Sequence, residues 1–146
     1  MGKNQSKLGI MIVGFGGAVA STAVAGVELL RREKIGTEGL PLAALPENLT
    51  ENLADYENLI FGGWDMNGDD LAAAATTHNV LTLQQFHEVG EQLQAAKPLA
   101  AVCNSEFCRN IEGKNVIVAD NHYKAVEAVR EDIRRFKSEQ NVERVV

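Results

Sequence analysis

The chain has 146 residues, 45% of them hydrophobic, which suits one domain with a core of its own. Its 14 basic and 20 acidic residues leave a formal charge of −6, and between Lys34 and Lys97 ten acids occur without a single Lys or Arg. Such a surface repels nucleic acid and anionic membrane, so neither is expected as a partner.

The start, MGKNQSK, is polar, and the apolar run behind it is broken by glycine within about seven residues. Neither a signal peptide nor a membrane span is expected at this end. Gly2 with Ser6 fits a myristoylation pattern only loosely. Leu8 to Val13 reads as a strand. Gly14, Gly16 and Gly17 follow as a tight turn, and a helix runs from there to Arg32 or Glu33. Strand, glycine turn and helix form the opening unit of a dinucleotide-binding domain. Unpaired N–H groups and the dipole at a helix start favour an anion, and glycine lets a pyrophosphate approach the backbone. The phosphates are therefore expected on Gly14, Phe15, Gly16, Gly17, Ala18 and Val19. The G-x-G-x-x-G pattern is imperfect, because Val19 stands at the third glycine position. A plain strand-to-helix connection is the alternative. The small residues Ala18, Ala20, Ala23, Ala25 and Gly26 favour a helix lying close on a parallel sheet.

Lys34 to Asn48, punctuated by Gly36, Gly39, Pro41 and Pro46, reads as a loop. The ordinary fold places a strand here, ended by an acid about 20 residues after the glycines that holds the ribose. Glu38 has roughly that spacing but lies in loop sequence. A short helical turn is expected within Thr50 to Tyr56, then a buried strand, Leu59 to Phe61, ended by Gly62-Gly63. Asp65 emerges past the carboxyl end of that strand, where open α/β sheets bind ligands. It is a candidate for ribose hydroxyls, or alternatively a turn cap.

Asn67 is expected to cap a helix to Thr77, with Asp69 and Asp70 in its first turn. Thr82 and Gln85 form a capping box for a second helix with Leu83, Phe86, Gly90 and Leu93 on its apolar side. His78 and His87 have no partner at ligand spacing and read as surface or capping residues. Leu99 to Val102 and Val116 to Ala119 are candidate strands. Cys103 and Cys108 are too few for a disulfide framework or a four-ligand zinc site, and are expected to be reduced in a cytoplasm. No metal site is expected. Asp120 can cap a long helix from Asn121 to Ser138 that buries Val126, Val129, Ile133 and Phe136. Val145-Val146 looks like the start of a further strand, so the chain is expected to be a truncated piece of something longer.

The fold class expected is α/β, a Rossmann-like NAD(P)-binding fold with a mostly parallel sheet, incomplete at its end and filling residues 1–146. The stretch Gly14-Phe15-Gly16-Gly17-Ala18-Val19-Ala20-Ser21-Thr22, followed by Phe61-Gly62-Gly63-Trp64-Asp65-Met66-Asn67 with Asp69, Asp70 and Leu71, resembles the inositol-3-phosphate synthase family (myo-inositol-1-phosphate synthase), its bacterial branch in particular. The resemblance runs from about Leu8 to Val146. It implies an NAD-dependent isomerase of inositol and phospholipid biosynthesis that turns D-glucose 6-phosphate into 1D-myo-inositol 3-phosphate. The implied steps are oxidation at C5, intramolecular aldol closure through an enolate, and reduction, so that NAD is a cofactor and not a consumed substrate.

Carried over by position, Gly14, Gly16, Gly17, Ala18 and Val19 line the pyrophosphate and Asp65 the adenosine ribose. Many family members have Asn-Asn-Gly where this chain has Ala18-Val19-Ala20, so those side-chain contacts are absent here. The family's catalytic lysines and sugar-phosphate residues lie in a later, inserted region, so no catalytic residue is assigned and the chain alone is expected to be inactive. A cytoplasmic homo-oligomer is implied as well. A stand-alone nucleotide-binding or interaction module is the alternative of a different class. A dehydrogenase sharing only the glycine turn is disfavoured by the Trp64-Asp65 motif. NAD is expected over NADP, because no Arg or Lys lies near Asp65 in the sequence to take a 2′-phosphate.

Overall fold

The computed structural model describes residues 6–51, 53–104 and 112–146. Residues 1–5, with Gly2, and Cys108 lie outside the described residues. Five strands form one sheet in the order β4-β3-β2-β1-β5, and every neighbouring pair is parallel. The chain runs β1 (Leu8–Val13), α1 (Ala18–Arg31), α2 (Glu47–Thr50), a single 3-10 turn (Tyr56–Asn58), β2 (Leu59–Asp65), α3 (Leu71–Thr77), α4 (Leu83–Ala95), β3 (Leu99–Val102), β4 (Val116–Ile117), α5 (His122–Glu139) and β5 (Arg144–Val145). The expected α/β class and parallel sheet are present, and the first helix ends within a residue of the expected place.

The core lies on one face of the sheet, under α1, α3 and α4. Ala20, Val24, Ala25 and Leu29 of α1 meet Leu71, Ala72 and Ala75 of α3 and Val89 and Leu93 of α4, with Ile12 and Phe61 beneath them. The small residues of α1 let these backbones approach closely. Leu83, expected on the apolar side of α4, is instead 93% exposed at the first helical position, while Val89 fills the core. The capping box of Thr82 and Gln85 forms as expected.

The second face carries α5. Phe136 lies against the two glycines that leave room for it: a Cβ at Gly9 or at Gly62 would come 2.7 Å from its ring. Val126, expected to be buried, is exposed, and the buried residue of α5 is Asp132. Its carboxylate accepts from Trp64 Nε1 at 2.8 Å and from Arg135 at 2.6 Å, which satisfies both oxygens.

Four boundaries differ from expectation. β2 does not stop at Gly62-Gly63 but runs through them to Asp65, because both glycines pair with β1, as Met11↔Gly62 and Ile12↔Gly63. α3 starts at Leu71, capped by Asp70, whose side chain accepts from Ala73 N–H at 2.9 Å. Asn67 and Asp69 bond each other in the turn before it. Asn121, not Asp120, caps α5, while Asp120 pairs with the Lys124 side chain. β4 is two residues long and ends at Ile117. Between α1 and β2 the chain makes a long connection, in which α2 starts at the end of the expected loop and finishes where the expected helical turn begins. Arg31 closes that connection by donating to the carbonyls of Tyr56 and Leu59, which returns the chain beside β1. β5 pairs with the other side of β1, through Leu8↔Arg144 and Gly9↔Val145. No described helix is long and apolar enough to cross a membrane.

A candidate dinucleotide site at the glycine turn

The strand order reverses at β1: β2, β3 and β4 lie on one side and β5 on the other. Such a switch point opens a crevice at the carboxyl ends of the strands, and the glycine turn sits there. Gly14 has φ +82°, which glycine alone adopts without strain.

The turn is bonded throughout. Gly14 and Phe15 N–H donate to the Trp64 carbonyl at 2.8 and 3.0 Å, and Gly17 N–H donates to the Gly14 carbonyl at 2.9 Å. Gly16 N–H donates to Asp65 Oδ2 at 2.9 Å. The N–H groups of residues 14–17 are thus all engaged within the chain. Donors for an anion begin one residue later. Gly17 caps α1 without a side-chain bond, and the first-turn N–H groups of Ala18, Val19 and Ala20 have no acceptor in the helix. The dipole of this 14-residue helix adds to them, and no acid occupies its first turn.

The expected cofactor residues therefore divide. Gly14, Gly16 and Gly17 shape the turn. Phe15 contributes its backbone, because its side chain is 1% exposed and packs in the core. Ala18 and Val19 offer N–H groups, and the Val19 side chain, like that of Val13 across the turn, is 85% exposed.

Asp65 is the last residue of β2, one place beyond the Val13↔Trp64 pair. This is the place of the usual ribose acid: the end of the strand that follows the first helix and lies beside β1. It stands 49 residues after Gly16 because the long connection precedes β2. Glu38 lies in that connection, away from any strand end. Asp65 also takes the turn-capping role: Oδ1 accepts from Asn67 N–H at 2.9 Å. Each carboxylate oxygen accepts one bond and retains capacity for a second, which is what a ribose diol requires.

Two side chains here were not assigned to the site from the sequence. Asn115, just before β4, donates through Nδ2 to the carbonyls of Asp65 (2.9 Å) and Leu99 (3.2 Å), and so holds the end of β2 to the start of β3. An Asn beside a short strand offers no local signal of this role. His78 is the C-cap of α3, as a capping histidine should be, and its ring Nε2 also lies 3.2 Å from the Gly16 carbonyl. Among the described residues no three His, Cys, Asp or Glu side chains gather in a way that could hold a metal ion.

Known proteins match this architecture. A family model for NAD binding, described as myo-inositol-1-phosphate synthase, matches residues 43–146. Inositol-3-phosphate synthase 1 of Bacteroides thetaiotaomicron is 33% identical over 150 residues, covering 96% of this chain and 35% of that protein. Inositol-3-phosphate synthase 1 of rice (Oryza sativa subsp. japonica) is 28% identical over 167 residues, covering 96% of this chain and 33% of that protein. The chain thus spans about a third of the length of these relatives. The crystal structure of an inositol-3-phosphate synthase from Caenorhabditis elegans superposes with a TM-score of 0.82 at 22% identity, over 99% of this chain and 34% of that one, which shows the shared fold. The family model names NAD as the cofactor. With residues 43–146 matched by the family model and a relative 33% identical across 96% of this chain, the chain belongs to the myo-inositol-1-phosphate synthase family.

Proposed function

We propose that this chain is the NAD-binding part of an inositol-3-phosphate synthase that converts D-glucose 6-phosphate to 1D-myo-inositol 3-phosphate. The observation that carries the proposal is the bond from Gly16 N–H to Asp65 Oδ2, which joins a phosphate-binding turn to a ribose-binding acid in one site. Ala18 and Val19 hold the pyrophosphate through their N–H groups, on the turn shaped by Gly14, Phe15, Gly16 and Gly17. Asp65 accepts from the adenosine ribose. When bound, NAD supplies a hydride acceptor that is restored within one turnover. The chain's own residues bind and orient it.

The residues that act on the sugar phosphate lie outside these 146 residues, and the chain alone does not turn over substrate. Support comes from the basic groups a sugar phosphate needs, which are missing between Lys34 and Lys97. The same acidity supports a protein that takes neither nucleic acid nor an anionic membrane. We place the whole protein in the cytoplasm, as a homo-oligomer.

Calorimetric titration with NAD, of the chain and of an Asp65→Ala variant, tests the proposal. The expected outcome is micromolar to sub-millimolar binding that the substitution weakens about tenfold or more. No binding by the folded chain would overturn it, and would favour a module that keeps the fold for another purpose.

A further inference from the structure

The backbone of Gly16 meets side chains of two other elements, one at its N–H and one at its carbonyl. Its N–H donates to Asp65 Oδ2 at 2.9 Å, and its carbonyl lies 3.2 Å from His78 Nε2, a residue 62 places away. A carbonyl only accepts, so a bond across this contact requires the proton on Nε2. The ring is not needed for the cap of α3, because the His78 backbone N–H already donates to the Ala74 carbonyl at 3.0 Å. It is not a core group either, since His78 is exposed. What the ring does hold is the peptide that leads into Gly17, the N-cap of α1.

We infer that His78 is a positioning residue for the dinucleotide's pyrophosphate. Gly17 N–H already ties the Gly16–Gly17 peptide to the Gly14 carbonyl, and His78 at the Gly16 carbonyl holds the other edge of its plane, and through it the aim of the N–H groups of Ala18, Val19 and Ala20. Asp65 and His78 then clamp the turn on either side of Gly16, one through the Phe15–Gly16 peptide and the other through the Gly16–Gly17 peptide. This inference rests on the NAD reading above.

Calorimetric titration with NAD of wild type, His78→Ala and His78→Gln tests it, with thermal unfolding of all three. His78→Ala is expected to bind NAD about three- to tenfold more weakly. His78→Gln, whose amide N–H reaches about as far, is expected to recover binding to within about twofold of wild type. Both variants should unfold within about 2 °C of wild type, because one exposed bond contributes little to stability. Nitrogen-15 NMR of the imidazole should show a protonated Nε2 in the free protein. Equal affinity of wild type and His78→Ala overturns the inference while leaving the NAD reading in place. So does an Nδ1–H tautomer, or a loss that Gln does not rescue. If the folded wild type binds no NAD, the reading and the inference fall together.

Discussion

Trp64 Nε1 donates to Asp132 Oδ2 at 2.8 Å, so the tryptophan that precedes the candidate ribose acid is tied to α5 on the sheet's second face. The Trp64 carbonyl meanwhile accepts from Gly14 and Phe15. One residue therefore links the helix on one side of the sheet to the turn at its end.

The Asp132→Ala substitution removes the acceptor of a buried indole N–H. It should destabilise the chain by about 1–3 kcal/mol, the cost of leaving such a donor unpaired. Urea unfolding checks this, and Trp64, the one tryptophan of the sequence, reports it directly by fluorescence.

Gly14 and Gly16 should respond differently to alanine. At Gly14 nothing lies within 4 Å of an added Cβ, but φ is +82°. Gly14→Ala should therefore cost stability, about 1–2 kcal/mol, through backbone strain. At Gly16 the added Cβ meets Asp65 Cγ and Oδ2, both at 3.2 Å. Gly16→Ala should instead displace the Asp65 carboxylate and weaken NAD binding about tenfold, with less effect on unfolding. Titration and denaturation of the two variants separate the effects.

Gly62 and Gly63 are neighbours on β2 and are required for different reasons. A Cβ at Gly62 meets the Phe136 ring, which can turn aside. A Cβ at Gly63 meets the backbone of Ile12, with its N at 2.8 Å and its C at 2.9 Å, and a paired strand cannot yield. Gly63→Ala should destabilise by about 3 kcal/mol and Gly62→Ala by about 1 kcal/mol. Chemical denaturation of both variants checks the order.

Asp65 should also set the choice between nicotinamide cofactors. A carboxylate at this strand end repels a 2′-phosphate, and between Lys34 and Lys97 there is no Lys or Arg to attract one. NAD should bind at least about tenfold more tightly than NADP, and Asp65→Ala should narrow that ratio. Parallel titrations with the two cofactors measure it.

Much of this was legible in the sequence, because it depends on local chemistry. The first strand, the glycine turn, the small-faced helix and the capping box at Thr82 all follow from neighbouring residues. Asp65 was legible as a candidate but its position at the end of the strand beside β1 was not, since spacing counted along the chain is stretched by the connection between α1 and β2. Topological position was kept while spacing was not. Gly62-Gly63 read as a strand end because glycine ends strands on average, but here β1 and Phe136 need the room. The contact of His78 with Gly16 joins residues on different elements, and no local pattern encodes it. Nor does the pattern of α5 show that Asp132 is its buried residue, because a carboxylate facing a sheet has meaning only once Trp64 is placed opposite.

The glycine turn fills its own hydrogen-bonding capacity, with Trp64, Gly14 and Asp65 as acceptors. Its shape therefore exists before any ligand arrives, and binding need not freeze a mobile loop. A preorganised cradle loses little conformational entropy on association, so the interaction energy of a dinucleotide goes into affinity and not into ordering the protein. A ligand here would meet a mould: a backbone held this firmly presents the N–H groups of Ala18 and Val19 without help from their side chains.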